Sequence, residues 1–129
     1  MNHKILIVDD EVNIQQGLLD FFTDETRFEV RAASSGEQGI KMLDTFSPTV
    51  CIVDMRLPGM DGNDFIILAG QHLNNCLFIV HTGSMDYSLP KELIRIGIKK
   101  EHVLEKPVTD MTVFLDLIQH ADNVYQENL

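Results

Sequence analysis

The chain has 129 residues, of which 44% are hydrophobic and 23% are charged. That length and composition are typical of one globular domain and exclude a disordered chain. Twenty acidic against ten basic residues give a net charge of -10, which argues against direct nucleic-acid binding because phosphate contacts need clusters of lysine and arginine. No stretch approaches about eighteen consecutive apolar residues, and residues 1–4 lead straight into a strand-like run. We therefore expect a cytoplasmic protein with no signal peptide and no contact with the membrane.

Five strand-like apolar runs recur roughly every 24 residues, as in repeated strand–helix units. The runs lie at residues 5–8, 28–32, 50–53, 77–80 and 103–104. The first, third and fourth are almost continuously apolar, which is typical of central parallel strands covered on both faces. The second alternates apolar and polar residues and the fifth is short, so both are predicted to be edge strands.

A helical pattern of apolar residues follows each strand. The helix-face residues are, in chain order, Ile14, Leu18, Phe21 and Phe22; Ile40, Leu43 and Phe46; Phe65 and Leu68; Leu89, Leu93 and Ile96; and Phe114, Leu117, Ile118 and Ala121. Ser34 or Ser35, Asp61 and Asp110 are the predicted N-caps of the second, third and fifth helices. In the fourth helix we expect Pro90 in the first turn and Gly97 at the end.

The strand order 2-1-3-4-5 places both edge-like strands at the edges, and right-handed crossovers put helices on both faces. The predicted fold is therefore a single doubly wound α/β domain with a five-stranded parallel sheet, as in flavodoxin-like proteins. We expect this domain to span residues 1–121. Residues 122–129 turn polar and are predicted to be the end of the last helix and a tail.

Two cysteines, Cys51 and Cys76, open the third and fourth apolar runs. One interpretation is a redox pair or a metal site, and the other is two small buried hydrophobic side chains. The sequence has no CxxC spacing, and a reducing compartment disfavours disulfides. We therefore expect both cysteines to be structural.

Polar side chains close or follow four of the five strands: Asp9 with Asp10, Asp54, Thr82 and Lys106. Asp and Lys are rarely buried without a partner, and adjacent carboxylates repel each other. In an open parallel sheet with this strand order, ligands bind beyond the carboxyl ends of the strands, between the first and the third. The five side chains are therefore predicted to converge on one site.

Mg²⁺ prefers oxygen ligands and commonly takes one or two carboxylates together with water and phosphate oxygens. We expect Asp10 and Asp54 to bind Mg²⁺ directly, and Asp9 to hold a metal-bound water. The backbone carbonyl of Arg56, two residues beyond Asp54, is a further predicted ligand.

The same site could support phosphoryl transfer, because a carboxylate can be a nucleophile that forms an aspartyl phosphate. Attack by an anion on an anionic phosphoryl group needs charge neutralisation, which Mg²⁺ and the Lys106 ammonium would supply. Thr82 could then donate a hydroxyl hydrogen bond to a phosphoryl oxygen.

Four motifs together resemble the response-regulator receiver domain of two-component signalling. They are IVDDE at residues 7–11, VDMRLPGMDG at 53–62, HTG at 81–83 and EKP at 105–107. The resemblance covers roughly residues 3–121. A flavodoxin-like FMN carrier fits less well, since an acidic loop after the first strand repels phosphate. A haloacid-dehalogenase-type phosphatase would carry its nucleophile after the first strand rather than the third.

The resemblance implies that Asp54 accepts a phosphoryl group from a phosphohistidine on a histidine kinase or histidine phosphotransfer protein. It also implies that Asp9 and Asp10 organise Mg²⁺, that Thr82 and Lys106 couple phosphate to conformational change, and that a cis peptide precedes Pro107. Such a domain is a switch that catalyses only its own phosphorylation and dephosphorylation. The alternative is the receiver part of a longer regulator or hybrid histidine kinase that continues past residue 129.

One position departs from the family pattern. The family usually has an aromatic residue three positions before the lysine, and Val103 stands there in this chain. Tyr87 is a conceivable substitute, but we expect an exposed loop tyrosine. His81, beside Thr82, has no partner pattern and is expected to be a structural or loop residue.

Overall fold

The computed structural model describes residues 2–127. Its five strands are β1 (Lys4–Val8), β2 (Glu29–Ala33), β3 (Val50–Val53), β4 (Leu77–Thr82) and β5 (Val103–Glu105). Its five α-helices are α1 (Val12–Glu25), α2 (Gly36–Phe46), α3 (Gly62–His72), α4 (Lys91–Ile96) and α5 (Thr112–Glu127), and a short 3₁₀ turn (Lys100–His102) precedes β5. All neighbouring strands are parallel and the order is β2-β1-β3-β4-β5. The predicted fold is confirmed.

The two central strands β1 and β3 are buried on both faces because their runs are apolar at every position. Alternate side chains of a strand point to opposite faces, and each face has its own hydrophobic core. On one face, Leu6 and Val53 pack in a core with Phe65 of α3. On the other face, Ile7 and Ile52 belong to a core with Phe114 of α5. Burial of each such side chain contributes about 1.5–3 kcal/mol, so the ends of β1 and β3 are firmly held.

Polar residues mark the two edges of the sheet, as the sequence pattern predicts. Exposed and partly buried residues alternate along β2, and β5 has only three residues, the last of them exposed. The Arg31 guanidinium of β2 lies 4.5 Å from the centre of the Phe46 ring. This contact covers part of the edge with a charged side chain, which protects an edge strand from pairing with another chain.

The helix ends largely follow the predicted capping residues. Ser35 accepts a hydrogen bond from the Gln38 amide, and Asp61 accepts one from the Asp64 amide. Gly97 ends α4 with a φ of 111°, a left-handed conformation that favours glycine.

Two helix starts differ from the prediction by one residue. Pro90 is the N-cap of α4 rather than part of its first turn. Asp110 lies two residues before α5 and accepts hydrogen bonds from the Thr112 amide and hydroxyl. The Pro90 carbonyl accepts hydrogen bonds from the Leu93 and Ile94 amides, so both residues still bind backbone groups at the helix start although Pro90 has no capping side chain.

Helix α5 continues six residues past Ala121, to Glu127. Asp122 is part of the packed domain, since its carboxylate lies 3.0 Å from Nε2 of the buried His3 ring. The predicted boundary at residue 121 stays a prediction, and residues 128–129 of the predicted tail lie outside the described residues. Among residues 2–127, no helix is both long enough and apolar enough to cross a membrane.

Candidate functional site

The carboxyl ends of four strands bring Asp9, Asp54, Thr82 and Lys106 to one edge of the sheet. Asp9 follows β1, Asp54 follows β3, Thr82 ends β4 and Lys106 follows β5. Asp9 is 1% exposed, Asp54 4% and Thr82 1%. Such burial of two carboxylates needs a partner charge, because an unpaired buried charge is strongly destabilising.

Lys106 supplies that charge. Its ammonium lies 2.9 Å from Asp9 Oδ2 and 3.5 Å from Asp54 Oδ2. It also lies 3.1 Å from Oε1 of Glu11, whose side chain is 59% exposed. One ammonium therefore contacts three carboxylates: those of Asp9 and Glu11, which follow β1, and that of Asp54, which follows the neighbouring strand β3.

Backbone amides orient the two buried carboxylates towards Lys106. The Glu11 amide donates to Asp9 Oδ1 at 2.9 Å, and the Arg56 amide donates to Asp54 Oδ1 at 3.2 Å. In each case the donor lies two residues after the aspartate, the local turn that aspartate side chains favour. The second oxygen of each carboxylate is then left for a cation.

The main chain of β4 and β5 places Lys106. Its amide donates to the Thr82 carbonyl at 2.8 Å, which extends the pairing of β5 with β4. The Lys106–Pro107 peptide bond is cis, as the family resemblance implies. Thr82 is the last residue of β4, where the β4–α4 loop begins. Its hydroxyl oxygen accepts a hydrogen bond from the Ser84 amide of this loop at 3.1 Å.

Three acidic groups are close enough to share a cation: Asp9, Glu11 and Asp54 offer oxygens that all lie within 4.8 Å of one another. Glu11 was missed as a candidate ligand, although it is the third acid of the Asp-Asp-Glu run. Asp10 is exposed and does not belong to this group of three. The roles of Asp10 and of the Arg56 carbonyl as direct ligands therefore stay predictions.

Burial makes the two inner carboxylates reluctant to ionise. Burial is the largest influence on the pKa of Asp9 and on that of Asp54, and both pKa values are raised although Lys106 and the backbone amides act to lower them. Burial acts to lower the pKa of Lys106, but the hydrogen bonds to Asp9 and Glu11 and the charges of Asp9 and Asp54 together outweigh it, and the pKa is raised. The site therefore holds more negative charge than one lysine balances, which favours an additional cation.

The start of α3 packs directly against the residue that carries the central carboxylate. A Cβ atom on Gly62 would overlap the Asp54 carbonyl oxygen and would lie 2.8 Å from Met55 Cα. The Gly62 amide donates to the Met55 carbonyl at 3.2 Å. Only glycine allows this close approach, so Gly62 helps to fix the backbone of the site.

Tyr87 is not the exposed loop residue that we expected. Its ring packs against the core on the α3 face, and its hydroxyl donates to Asn63 Oδ1 at 2.9 Å. Burial raises its pKa to about 12. Tyr87 and Val103 line one cavity of about 600 Å³ near α4. Since the smaller Val103 stands where the family usually has an aromatic ring, the aromatic side chain beside this cavity comes from the β4–α4 loop.

His81 is a structural residue, as expected, but it lies in β4 rather than in a loop. Its ring is 4% exposed and meets the Phe114 ring edge-on, with centroids 5.4 Å apart. Neither ring nitrogen has a hydrogen-bond partner within residues 2–127. Burial lowers its pKa to about 4, so the ring is neutral at physiological pH.

Comparisons with known proteins agree with this geometry. The sequence model of the response regulator receiver domain matches residues 5–119. The chain is 32% identical over 108 residues to the probable chemotaxis protein CheY of Rhizobium etli, and the match covers 82% of each chain. It is 33% identical over 106 residues to protein-glutamate methylesterase/protein-glutamine glutaminase 2 of Paramagnetospirillum magneticum, covering 81% of this chain but 30% of that protein.

Solved structures share the fold along nearly the whole length. A response regulator receiver domain protein from Clostridium thermocellum superposes with a TM-score of 0.79 and 28% sequence identity, covering 98% of this chain and 99% of the other. The family match extends over most of the chain and includes Asp9, Glu11, Asp54 and Lys106. The chain therefore belongs to the response regulator receiver domain family of two-component signalling proteins.

Proposed function

We propose that Asp54 is the phosphoacceptor of a magnesium-dependent switch. The observation that carries the proposal is the position of Asp54. This residue directly follows the buried central strand β3, and its Oδ2 lies 3.5 Å from the Lys106 ammonium, beside Asp9 and Glu11. In the reaction an Asp54 oxygen attacks the phosphorus of a phosphohistidine. The new O–P bond forms as the P–N bond breaks, and the histidine leaves with its electron pair.

The donor set fits Mg²⁺. Asp9, Glu11 and Asp54 offer only carboxylate oxygens, the ligands that this hard cation prefers, and the predicted ligands Asp10 and Arg56 would add oxygens as well. When bound, Mg²⁺ would supply positive charge against the incoming phosphoryl group. Lys106 supplies a second positive charge beside Asp54, and the backbone amide of Arg56 keeps the Asp54 carboxylate in position.

Thr82 and Lys106 are the proposed link between the phosphoryl group and the rest of the domain. The Thr82 hydroxyl oxygen accepts a hydrogen bond from the Ser84 amide, and this bond does not use the hydroxyl hydrogen, which a phosphoryl oxygen could accept. A new hydrogen bond from this hydroxyl to a phosphoryl oxygen would pull on the loop that carries Tyr87. The Tyr87–Asn63 bond lies on the path from this loop to α3.

The proposed donors are a histidine kinase or a histidine phosphotransfer protein. The fold and family describe a signalling domain, and catalysis limited to its own phosphorylation and dephosphorylation is part of the proposal. A stand-alone switch and the receiver part of a longer regulator or hybrid kinase both remain consistent with relatives that the chain covers by 82% and by 30%. The cytoplasmic location stays a prediction.

Phosphorylation of the purified protein by phosphoramidate in MgCl₂ tests the proposal. We expect intact mass spectrometry to find one added phosphoryl group, and EDTA to prevent it. Asp54→Asn should show no adduct, whereas Asp116→Asn, which removes an exposed acid from α5, should react like the wild type. An undiminished adduct on Asp54→Asn would refute the assignment.

A further inference from the structure

Two thiols lie in contact near the amino-terminal ends of β3 and β4, whereas Asp54 lies at the carboxyl end of β3. Cys51 Sγ and Cys76 Sγ are 3.8 Å apart. Cys51 is the second residue of β3 and is fully buried, whereas Cys76 directly precedes β4 and is half-buried. Neither cysteine takes part in the phosphoacceptor site.

The contact between the thiols follows from the strand register. Cys51 lies opposite Phe78 in the pairing of β3 with β4. Cys76 precedes Phe78 by two residues, so both point to the same face of the sheet. Cys76 itself lies outside the regular strand and follows Asn75, which has a φ of 60°. A disulfide would require the two sulfur atoms to approach from 3.8 Å to about 2.05 Å, and no strand pairing among the described residues holds the Cys76 backbone against this shift.

Cys76 lines a cavity of about 370 Å³, which gives small molecules access to its half-buried side chain. Lys99, His102 and His120 also line this cavity. The Lys99 amide donates to His102 Nδ1 at 3.0 Å, so the neutral His102 ring carries its proton on Nε2. Lys99 and Glu101 bring one positive and one negative charge to the cavity. The N–H of His102 is a proton donor, a group that can stabilise the hydroxide or alkoxide released when a peroxide O–O bond breaks.

A metal site explains these residues less well. Across residues 2–127, the group of three or more His, Cys, Asp and Glu side chains close enough to hold a metal ion is Asp9, Glu11 and Asp54. The Nδ1 atom of His102 is already an acceptor for a backbone amide, and its Nε2 carries a proton rather than a free lone pair. Thiol oxidation needs only the two sulfur atoms and an oxidant.

We propose that Cys76 and Cys51 form a peroxide-responsive thiol pair that oxidises to an intramolecular disulfide. In the first step the Cys76 sulfur attacks a hydroperoxide, so that an S–O bond forms and the O–O bond breaks. The thiol proton leaves with the resulting alcohol or water, and Cys76 becomes a sulfenic acid. In the second step the Cys51 sulfur attacks this sulfenic sulfur: the S–S bond forms, the S–O bond breaks, and water leaves with the Cys51 proton.

Burial sets the order of the two steps. Burial raises the pKa of the Cys51 thiol, and its thiolate, the reactive form, is therefore scarce at neutral pH. Cys51 also has no direct access to solvent. Cys76 consequently reacts first with the peroxide, and Cys51 resolves the sulfenic acid more slowly.

Peptide mapping after oxidation tests the proposal directly. The protein is treated with hydrogen peroxide, denatured with an alkylating reagent and digested with trypsin. Arg56 separates Cys51 from Cys76, so the two residues lie on different tryptic peptides. We expect a cross-linked pair of these peptides from a monomeric protein, lost on treatment with dithiothreitol. Free alkylated thiols at both positions after peroxide treatment, or a cross-link between two chains, would overturn the proposal.

Two variants test the roles of the individual cysteines. Cys51→Ala should trap the sulfenic acid, detected as a dimedone adduct on Cys76. Cys76→Ser changes a half-buried position and should leave Cys51 unoxidised; this second variant keeps the test valid if the buried Cys51→Ala change impairs folding. Oxidation of Cys51 in Cys76→Ser would contradict the proposed order. Asp54→Asn should form the disulfide like the wild type, since the thiol pair is independent of the proposed phosphorylation.

Discussion

At the scale of single residues, Lys106 is the counter-charge of the buried carboxylates Asp9 and Asp54. Its ammonium contacts Asp9, Glu11 and Asp54, and its side chain is 10% exposed. Removal of one partner from a buried ion pair leaves the other charge uncompensated, which costs more than the pair itself contributes. The stability of the domain should therefore depend on this lysine far more than on a surface lysine.

We predict that Lys106→Ala lowers the free energy of unfolding by about 2 kcal/mol in EDTA at neutral pH, because Asp9 and Asp54 lose their counter-charge. Urea denaturation monitored by circular dichroism measures the change. Lys41→Ala, on the exposed side of α2, is the matched control and should change stability by less than about 0.5 kcal/mol. Equal losses in the two variants would contradict the balancing role of Lys106.

His81 should make the domain sensitive to acid. Unfolded histidine takes up a proton near pH 6.5, but burial lowers the pKa of His81 in the folded protein to about 4. Between these values the unfolded state binds more protons, so stability falls as the pH falls from 6.5 to 4. The loss attributable to His81 amounts to about 3 kcal/mol at pH 4.

We predict that His81→Leu retains stability better than the wild type as the pH is lowered through this interval. Denaturant titrations at a series of pH values measure the effect. His72→Leu alters an exposed histidine of α3 and should follow the wild-type pH profile. Parallel profiles for His81→Leu and the wild type would show that the folded protein accommodates the protonated ring.

At the scale of elements, glycines in α1 and α3 have opposite roles. Gly62 begins α3 against the backbone of Asp54, where a Cβ atom has no room. Gly17 lies in the middle of α1, and a Cβ atom there would meet nothing within 4 Å. The same substitution should thus have opposite signs at the two positions.

We predict that Gly62→Ala lowers the free energy of unfolding by about 1–3 kcal/mol, because the backbone at Asp54 and Met55 must shift. Gly17→Ala should raise it by about 0.5–1 kcal/mol, since alanine loses less conformational entropy in a helix. Thermal and urea unfolding of both variants measure the difference. Destabilisation by Gly17→Ala would show that α1 is constrained in a way that its surroundings do not explain.

The sequence was sufficient for the element order because the central strands are apolar at nearly every position. It was less accurate at boundaries: β4 continues to Thr82, two residues beyond the predicted run, since His81 pairs with Leu104 and Thr82 with Glu105 in the sheet. Such pairing depends on another strand and leaves no local signal. Helix α5 continues past Ala121 to Glu127, within the segment that was predicted to hold the end of the last helix.

The part of the site that follows directly from the strand order could be predicted from the sequence. Asp9, Asp54 and Lys106 meet as expected, because strand ends are fixed by topology. The place of Glu11 in the cluster could not be predicted, since an acid in a first helical turn is ordinary. Tyr87 of the β4–α4 loop packs against a core formed by other elements and binds Asn63 of α3, so no pattern around residue 87 reveals its partial burial.

At the scale of the whole molecule, a cation bound by Asp9, Glu11 and Asp54 would reduce the repulsion between their carboxylates and raise the free energy of unfolding. Mg²⁺ that binds the folded state alone stabilises it by about 2.7 kcal/mol when its concentration is 100 times the dissociation constant. We predict a higher unfolding temperature in MgCl₂ than in NaCl of equal ionic strength. Asp9→Asn should lose most of this shift and Asp116→Asn should keep it. An unchanged shift in Asp9→Asn would exclude the acidic cluster as the magnesium site.

The acids and the lysine of the site follow strands that differ in burial and in length. We therefore expect the backbone near the lysine to open locally more often than the backbone near the acids. Val8 and Val53, which directly precede Asp9 and Asp54, are 0% exposed, whereas β5 has three residues and ends at an exposed glutamate. Backbone amides of β1 and β3 should exchange with deuterium only on global unfolding, and those of β5 much earlier. Lys106 can then detach and return many times during one lifetime of the folded sheet, while the acids stay in place.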